Sequence, residues 1–222
     1  MENQRNPTDI KQIGTLLFKS RLPVRIVNYI TIYRIITFPL LVFLIFAGNL
    51  DLFKWLLLAS FFTDAIDGFL ARRYNATSIL GAKLDSIGDD LTVLAAAIGL
   101  FVTESDFIDE HKAMFIILIA FFLVQVAGSL YRYRKISTFH TYGAKMAAVV
   151  TAIFLLSVFF FREVNEPLFF VAAALTALEL VEEIVLVALL RDYRSNVKGV
   201  YWVLKDKNKK AGLENQAQKR FG

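Results

Sequence analysis

The sequence contains no cysteine, and only two of its 222 residues are histidine. The absence of cysteine excludes disulfide bonds, thiolate metal sites and a cysteine nucleophile. The two histidines, His111 and His140, fall in separate loops between apolar runs. A histidine-built zinc site or a Ser-His-Asp triad is therefore not expected, and oxygen ligands must hold any metal ion.

Long polar stretches are also scarce, since 56% of the residues are hydrophobic, 21 are Phe and the mean hydropathy is +0.52. A water-soluble domain of this length could not bury so much apolar surface. Apolar runs of about 20 residues recur, which is the length needed to cross a hydrocarbon core of about 30 Å. The alternating pattern of a membrane β-barrel is missing. The sequence predicts an all-α polytopic membrane protein with six transmembrane helices, at residues 26–48, 52–72, 82–103, 113–133, 142–161 and 167–190.

Charged segments flank these runs and suggest three domains: 1–25, 26–190 and 191–222. Residues 1–9 are polar and lack the apolar core of a signal peptide, so we expect the chain to start in the cytoplasm. Between Pro7 and Pro23, within the segment 1–25, apolar residues recur at helical spacing together with Lys and Arg, which predicts an amphipathic interfacial helix. It could serve as a topology anchor or as a lid. Residues 191–222 form a basic cytoplasmic tail.

The distribution of Lys and Arg predicts the orientation. Loops on one side are poor in them, with Lys54 and Arg162 and an acidic segment at 104–112. The positive-inside rule places the basic loops, both termini and the site on the cytoplasmic side of the cytoplasmic membrane. The net charge of +5 then reflects this bias and anionic lipid, and nucleic-acid binding is excluded. The basic inner loops contain Arg72, Arg73, Arg132, Arg134, Lys135, Arg191 and Arg194.

Four aspartates interrupt the second and third apolar runs at Asp64, Asp67, Asp85 and Asp89. Helical periodicity puts each pair on one face, and the short intervening turn makes the two helices antiparallel neighbours. Each Asp at mid-membrane costs roughly 2.5–3.5 kcal/mol, so cations must compensate the four. Converging carboxylates favour Mg²⁺ or Mn²⁺, with two ions about 4 Å apart. The alternative is structural pairing with Arg34, Arg72 and Lys83.

Small residues share the register of these aspartates, namely Gly68, Ala71 and Gly81. In membrane helices such residues commonly serve close helix packing. Their position beside the carboxylates favours a slot in which a bulky substrate group approaches the backbone.

The pattern Asp64-x2-Asp67-Gly68-x2-Ala71-Arg72-x8-Gly81-x3-Asp85-x3-Asp89 resembles the signature of the CDP-alcohol phosphotransferase family, with every fixed position filled. Asn28-x2-Thr31-x2-Arg34 in the first span resembles the pattern that members carry there. The resemblance covers residues 20–165.

This resemblance implies a homodimeric six-helix core that transfers a phosphatidyl group from CDP-diacylglycerol, or another CDP-alcohol, to an acceptor alcohol. CMP is released, two divalent ions assist, and the reaction belongs to phospholipid biosynthesis. It implies that Asp64, Asp67 and Asp85 bind metal and that Asp89 is a further ligand and the general base. The positions implied for the nucleotide and phosphates are Asn28, Thr31, Arg34, Asp67, Gly68, Ala71, Arg72 and Gly81.

The acceptor is predicted less directly, with candidate ligands Arg132, Arg134, Lys135, His140 and Lys145. Gly143-Ala144-Lys145 is similar to a Gly-x-Lys step of phosphatidylglycerophosphate synthases, which favours glycerol 3-phosphate. Asp90 and Ser86 count against it, because those synthases tend to carry Lys and Pro there. Serine, inositol, inositol phosphate and other polyols stay open.

Three glutamates, Glu179, Glu182 and Glu183, lie in the sixth apolar run. We expect pairing with Lys145 or Lys83, or a dimer contact, rather than catalysis. Two alternatives to an enzyme are an ion-coupled transporter and a noncatalytic scaffold. The transporter would show an inverted repeat, which is not visible, and the scaffold would not explain the aspartate spacing.

Overall fold

The computed structural model describes residues 22–73, 79–134, 139, 141–190 and 197–205, and for 22–31, 64–65, 67–73 and 79–86 it describes the backbone alone. Regular structure in these ranges is entirely helical, which confirms the all-α class. A further short helix covers residues 200–205. The main helices are α1 (Leu22–Phe46), α2 (Leu50–Arg73), α3 (Ile79–Thr103), α4 (Ser105–Glu110), α5 (Lys112–Tyr133), α6 (Tyr142–Phe161) and α7 (Glu166–Leu189).

Each predicted apolar span coincides with one long helix, and the ends differ by a few residues. The first span was expected to reach residue 48, whereas α1 ends at Phe46. Gly48 adopts a positive φ of 71°, which ends the helix, and its N–H donates to the Ile45 carbonyl. The side chain of Asn49 then accepts from the Leu52 N–H and caps the start of α2. The predicted interfacial helix and most of the tail lie outside the described residues.

Two helices of the described chain, α5 and α6, are long and apolar enough to cross a membrane. Their exposed surfaces are also apolar: Ile116, Phe122 and Leu123 on α5 are at least half exposed. A water-soluble protein rarely exposes so many large apolar side chains on one helix. Membrane crossing by the other four long helices stays a prediction.

The chain forms two compact units, residues 1–105 and 106–222. In unit 1, α1 packs against both α2 and α3, and α2 also contacts α3. Ala95 and Ala96 of α3 are fully buried. Their small side chains permit close approach of helices. The core of this unit also contains Leu41, Leu44, Ile45, Phe53, Leu57 and Leu100.

In unit 2, α7 packs against both α5 and α6. The helices begin at recognisable caps: Thr141 accepts from the Ala144 N–H at the start of α6, and Asn165 accepts from the Leu168 N–H at the start of α7. Phe169 of α7 packs its ring edge against Phe107 of α4, with ring centroids 4.9 Å apart. The three-domain boundaries proposed from the sequence stay a prediction.

Candidate active site

The predicted site residues of the aspartate motif lie on the packed helices of unit 1. Helix α1 carries positions 28, 31 and 34, α2 carries 64, 67, 68, 71 and 72, and α3 carries 81, 85 and 89. Of these, Arg34 and Asp89 have described side chains. Among described side chains, no group of three or more His, Cys, Asp or Glu could hold a metal ion. Three of the four predicted ligands, Asp64, Asp67 and Asp85, lie outside that set.

Arg34 and Asp89 form an ion pair between α1 and α3, in which the Arg34 guanidinium donates to the Asp89 carboxylate. The Arg34 side chain is fully buried, whereas 42% of the Asp89 side chain is exposed. The pair therefore links a buried cation to a partly exposed carboxylate. Arg34 pairs with the one aspartate that was predicted to accept a proton.

Gly88, for which no role was predicted, provides the space for this ion pair. A Cβ at position 88 would lie 3.2 Å from Nε and 3.3 Å from Nη2 of Arg34. Thr92, which is buried, donates to the Gly88 carbonyl at 2.9 Å and so anchors this turn of α3. The signal in the sequence was a small residue directly before Asp89. Its contact with Arg34 could be identified only from the packing of α1 on α3.

The basic residues predicted to bind the acceptor have mixed environments. Arg132 donates through Nε to the Leu190 carbonyl at 2.8 Å, so it caps the end of α7. Arg134 is exposed and adopts a left-handed conformation at the end of α5. Lys145 is exposed on the first turns of α6, with Nζ 5.7 Å from the centroid of the Tyr142 ring. Lys135 and His140 lie outside the described residues.

The glutamates of α7 differ from the expectation. Glu183 is buried, and its carboxylate accepts from the Phe139 N–H at 2.9 Å and from the Gln125 side-chain amide at 2.8 Å. Glu182 accepts from the Val200 N–H at 3.1 Å. Among described residues, neither forms an ion pair with Lys145. Backbone and amide donors thus stand in place of the Lys145 pairing and satisfy a carboxylate without a charged partner. Pairing with Lys83 and a dimer contact, the other two expectations, stay predictions.

Two glycines leave room for the Glu182 carboxylate. A Cβ at Gly143 would lie 3.0 Å from one Glu182 oxygen, and a Cβ at Gly199 would lie 2.8 Å from the other. Gly199 also has a positive φ of 151°, which L side chains rarely adopt. Gly143 belongs to the Gly-x-Lys step that the sequence analysis connected with the acceptor, and the structure gives it a packing role against Glu182.

Backbone hydrogen bonds join the segment before α6 to the residues after α7. The Val197 N–H donates to the Phe139 carbonyl at 3.1 Å, and the Tyr142 N–H donates to the Lys198 carbonyl at 3.4 Å. The Phe139 side chain is fully buried in a cluster with Leu186, Val187, Leu190, Tyr133, Val197, Val200 and Val203. Residues 197–205 are thus part of the folded unit.

The fold and the motif together define a class, a helical membrane protein whose aspartate motif lies on two packed helices. The sequence profile of the CDP-alcohol phosphatidyltransferase family matches residues 24–191, and the chain belongs to this family. It is a transferase. With two helices able to cross a membrane, it is also an integral membrane protein.

Several relatives carry a more specific name. The chain is 29% identical over 131 residues to the CDP-diacylglycerol–glycerol-3-phosphate 3-phosphatidyltransferase of Rickettsia prowazekii, covering 54% of this chain and 71% of the relative. Its similarity to the enzyme of that name from Rickettsia typhi is 30% over 124 residues, or 50% and 68% of the two chains. The Rickettsia bellii enzyme is 38% identical over 95 residues, 40% of this chain and 50% of that one. No solved structure matches the chain significantly.

Proposed function

We propose that this enzyme transfers the phosphatidyl group of CDP-diacylglycerol to glycerol 3-phosphate and releases CMP, a reaction of phospholipid biosynthesis. The main support is the family match over residues 24–191, together with relatives named CDP-diacylglycerol–glycerol-3-phosphate 3-phosphatidyltransferase. The complete aspartate motif on α2 and α3 supports the donor half of the reaction. The transporter alternative has no support from the family match.

The predicted metal ligands suit a hard divalent cation, because they are carboxylate oxygens and the chain has no thiolate. Members of the family generally depend on a divalent metal. In our proposal Asp64, Asp67, Asp85 and Asp89 hold Mg²⁺ or Mn²⁺, with two ions in the site. When bound, such ions neutralise the pyrophosphate charge and make CMP a better leaving group.

The chemical step is a direct transfer. The acceptor hydroxyl oxygen forms a bond to the phosphorus that carries the diacylglycerol, and the bond from that phosphorus to the CMP oxygen breaks. Asp89 takes the hydroxyl proton. The buried guanidinium of Arg34 holds the Asp89 carboxylate in place, which is the described contact that supports this role. Positioning must contribute strongly, since a carboxylate with a reference pKa of about 4 is a weak base for an alcohol.

Substrate binding is proposed from the motif positions. Gly68, Ala71 and Gly81 leave space for the cytidine beside Asp67, and the phosphates meet Asn28, Thr31 and Arg72. Arg34, whose side chain is fully buried, acts on the site through Asp89. The acceptor phosphate is assigned to the basic residues at the end of α5 and the start of α6, which are Arg132, Arg134, Lys135 and Lys145.

The deciding experiment is release of CMP from CDP-diacylglycerol by the purified chain in detergent. We expect release that needs Mg²⁺ or Mn²⁺ and is fastest with glycerol 3-phosphate among that acceptor, serine, inositol and inositol phosphate. Faster release with serine or inositol would reject the acceptor, and Asp90 and Ser86 would then explain the difference. No release with any acceptor would reject the enzyme reaction itself.

The membrane arrangement completes the proposal: six crossings, both termini and the site in the cytoplasm, and a homodimer. Cysteines introduced singly at Arg73 and Asp106 into this cysteine-free chain should react with an impermeant thiol reagent from opposite sides of the membrane. We expect Asp106→Cys to be labelled in intact cells and Arg73→Cys only after permeabilisation. Labelling of Arg73→Cys in intact cells would contradict the orientation.

A further inference from the structure

A groove of about 240 Å³ runs between residues 124–132 of α5 and residues 184–188 of α7, entirely within unit 2. We call it the α5–α7 groove. Gly128 widens it, since a Cβ at that position would lie 3.5 Å from Val187 on the opposite wall. Val187 is buried, whereas Val124 on the rim is 54% exposed. The groove is therefore open at the outer surface of α5, a helix able to cross a membrane.

The inner part of the α5–α7 groove offers an apolar surface to a ligand. Gln125 is the polar residue there, and its side-chain amide donates to the buried Glu183 carboxylate at 2.8 Å, so it is engaged within the protein. A ligand in this part gains most from van der Waals contact between a hydrocarbon chain and the walls. The aliphatic residues that line the groove are Val124, Ile184, Val187 and Ala188.

One end of the α5–α7 groove carries a cation. Arg132 lies in the last turn of α5, and its bond from Nε to the Leu190 carbonyl fixes the guanidinium beside the end of α7. A guanidinium has five N–H donors, and within the described part of the chain the other four have no hydrogen-bond partner. Tyr131 is 93% exposed beside it, and Tyr is common where a helix leaves the membrane. This end therefore suits an anionic lipid head group.

The dimensions of the groove favour a lipid over a helix of a second copy of the chain. Val124 lies about 10 Å from Tyr131 along α5, at about 1.5 Å per residue. Over that length, about 240 Å³ gives a mean cross-section of roughly 24 Å². A helix with its side chains is about 10–12 Å in diameter and would not enter, whereas a single extended hydrocarbon chain would. The described lining contains a cation and no carboxylate, so an anionic lipid complements its charge.

We propose that the α5–α7 groove binds one acyl chain of an anionic membrane phospholipid and that Arg132 binds the head group of that lipid. The lipid is a bound component and not a reactant, because the groove contains no residue of the aspartate motif. The proposal does not depend on which reaction the enzyme performs. It gives Arg132 to the lipid, and the residues that remain for the acceptor phosphate are Arg134, Lys135 and Lys145.

The test measures lipid binding to the purified full chain after removal of lipid in detergent. Native mass spectrometry counts bound lipids during titration with phosphatidylglycerol or with phosphatidylcholine of identical acyl chains. Gly128→Leu and Ala188→Phe fill the groove from opposite walls. Arg132→Gln removes the positive charge and retains an N–H donor for the Leu190 carbonyl. Ala127→Leu is the matched control, because Ala127 is an exposed residue of α5 that does not line the groove.

We expect the wild type to bind one phosphatidylglycerol per chain about fivefold more tightly than phosphatidylcholine, which is the contribution of one Arg near an anionic head group. Arg132→Gln should bind the two lipids equally. Gly128→Leu and Ala188→Phe should bind both lipids about tenfold more weakly, because the acyl chain loses its packing against the walls. Ala127→Leu should match the wild type. An excess of CDP-diacylglycerol should not displace the phosphatidylglycerol.

Equal affinity of the wild type for the two lipids would overturn the proposal, as would an effect of Ala127→Leu as large as that of Gly128→Leu. Displacement by CDP-diacylglycerol would place the bound lipid at the donor site instead. Light scattering tests the other occupant: a wild-type dimer that Gly128→Leu converts to monomers would show that a second copy covers the groove. If Gly128→Leu does not fold, Ala188→Phe decides by the same criteria.

Discussion

Unit 1 and unit 2 each place carboxylates inside a helical bundle, and they satisfy them differently. In unit 1, Asp89 faces the guanidinium of a fully buried arginine. In unit 2, Glu183 faces an uncharged backbone amide and a glutamine. A carboxylate that compensates a buried cation contributes its negative charge, and loss of that charge weakens the compensation. When neutral donors hold a carboxylate, its acceptor oxygens maintain the contacts, and its charge contributes less.

The same change of carboxylate to amide should therefore have very different effects in the two units. Asp89→Asn removes the proposed base and the anion opposite Arg34, so we expect turnover to fall by roughly 10²–10⁴. Glu183→Gln retains an acceptor for the Phe139 N–H and should stay near the wild-type rate. Single-turnover rates with saturating donor measure both. Near-normal turnover by Asp89→Asn would eliminate it as the base.

Within unit 1, aspartates on the same helix should also differ in how much their substitution weakens binding. Asp64→Asn or Asp67→Asn should weaken metal and CDP-alcohol binding together. Loss of an outer-shell partner costs a metal site roughly 10–100-fold in affinity, so we expect loss of a direct ligand to cost at least as much. Asp51→Asn is the control, because Asp51 is exposed at the start of α2 and pairs there with Lys54. Titration of Mn²⁺ and of CDP-diacylglycerol gives the affinities. Equal affinities in all three variants would remove the metal assignment.

The smallest effect concerns a glycine in each unit. Gly88→Ala should lower the free energy of unfolding by about 1–2 kcal/mol, since the new Cβ would press on a guanidinium that Asp89 fixes. Gly128→Ala in α5 should be neutral or stabilising, because its Cβ would lie 3.5 Å from Val187 and a helical Gly is costly. Thermal unfolding in detergent measures both. A stable Gly88→Ala variant would show that Arg34 can move.

Much of the fold followed from local pattern. Runs of apolar residues predicted where each of the long helices lies, and α6 has the predicted bounds of residues 142 and 161. The helix ends were less accurate, because local caps such as Gly48 and Asn49 decide them. The aspartate spacing also predicted the family, which the profile match confirmed. The assigned roles of the individual site residues stay predictions.

The partners of the buried charges could not be predicted in this way. Asp89 was assigned to metal and proton transfer, and pairing of the four aspartates with Arg34, Arg72 and Lys83 was the alternative. Only the structure shows that Asp89 is the aspartate that faces Arg34, 55 positions away. For the α7 glutamates, pairing with Lys145 or Lys83, or a dimer contact, was expected, and of these only the pairing with Lys145 concerns described side chains. The structure instead supplies the Phe139 amide, 44 positions from Glu183, and the Val200 amide. Backbone donors leave no mark in the sequence, because every residue except proline has one.

The sequence by itself determined the helical membrane class and the family, since apolar run length and fixed residue spacing are local properties of a chain. Tertiary structure alone decided which groups meet the buried carboxylates and why glycine occupies positions 88, 143 and 199. These depend on which helix faces pack together. Side-chain contacts between residues far apart in the chain form only when the helix faces that carry those residues pack together.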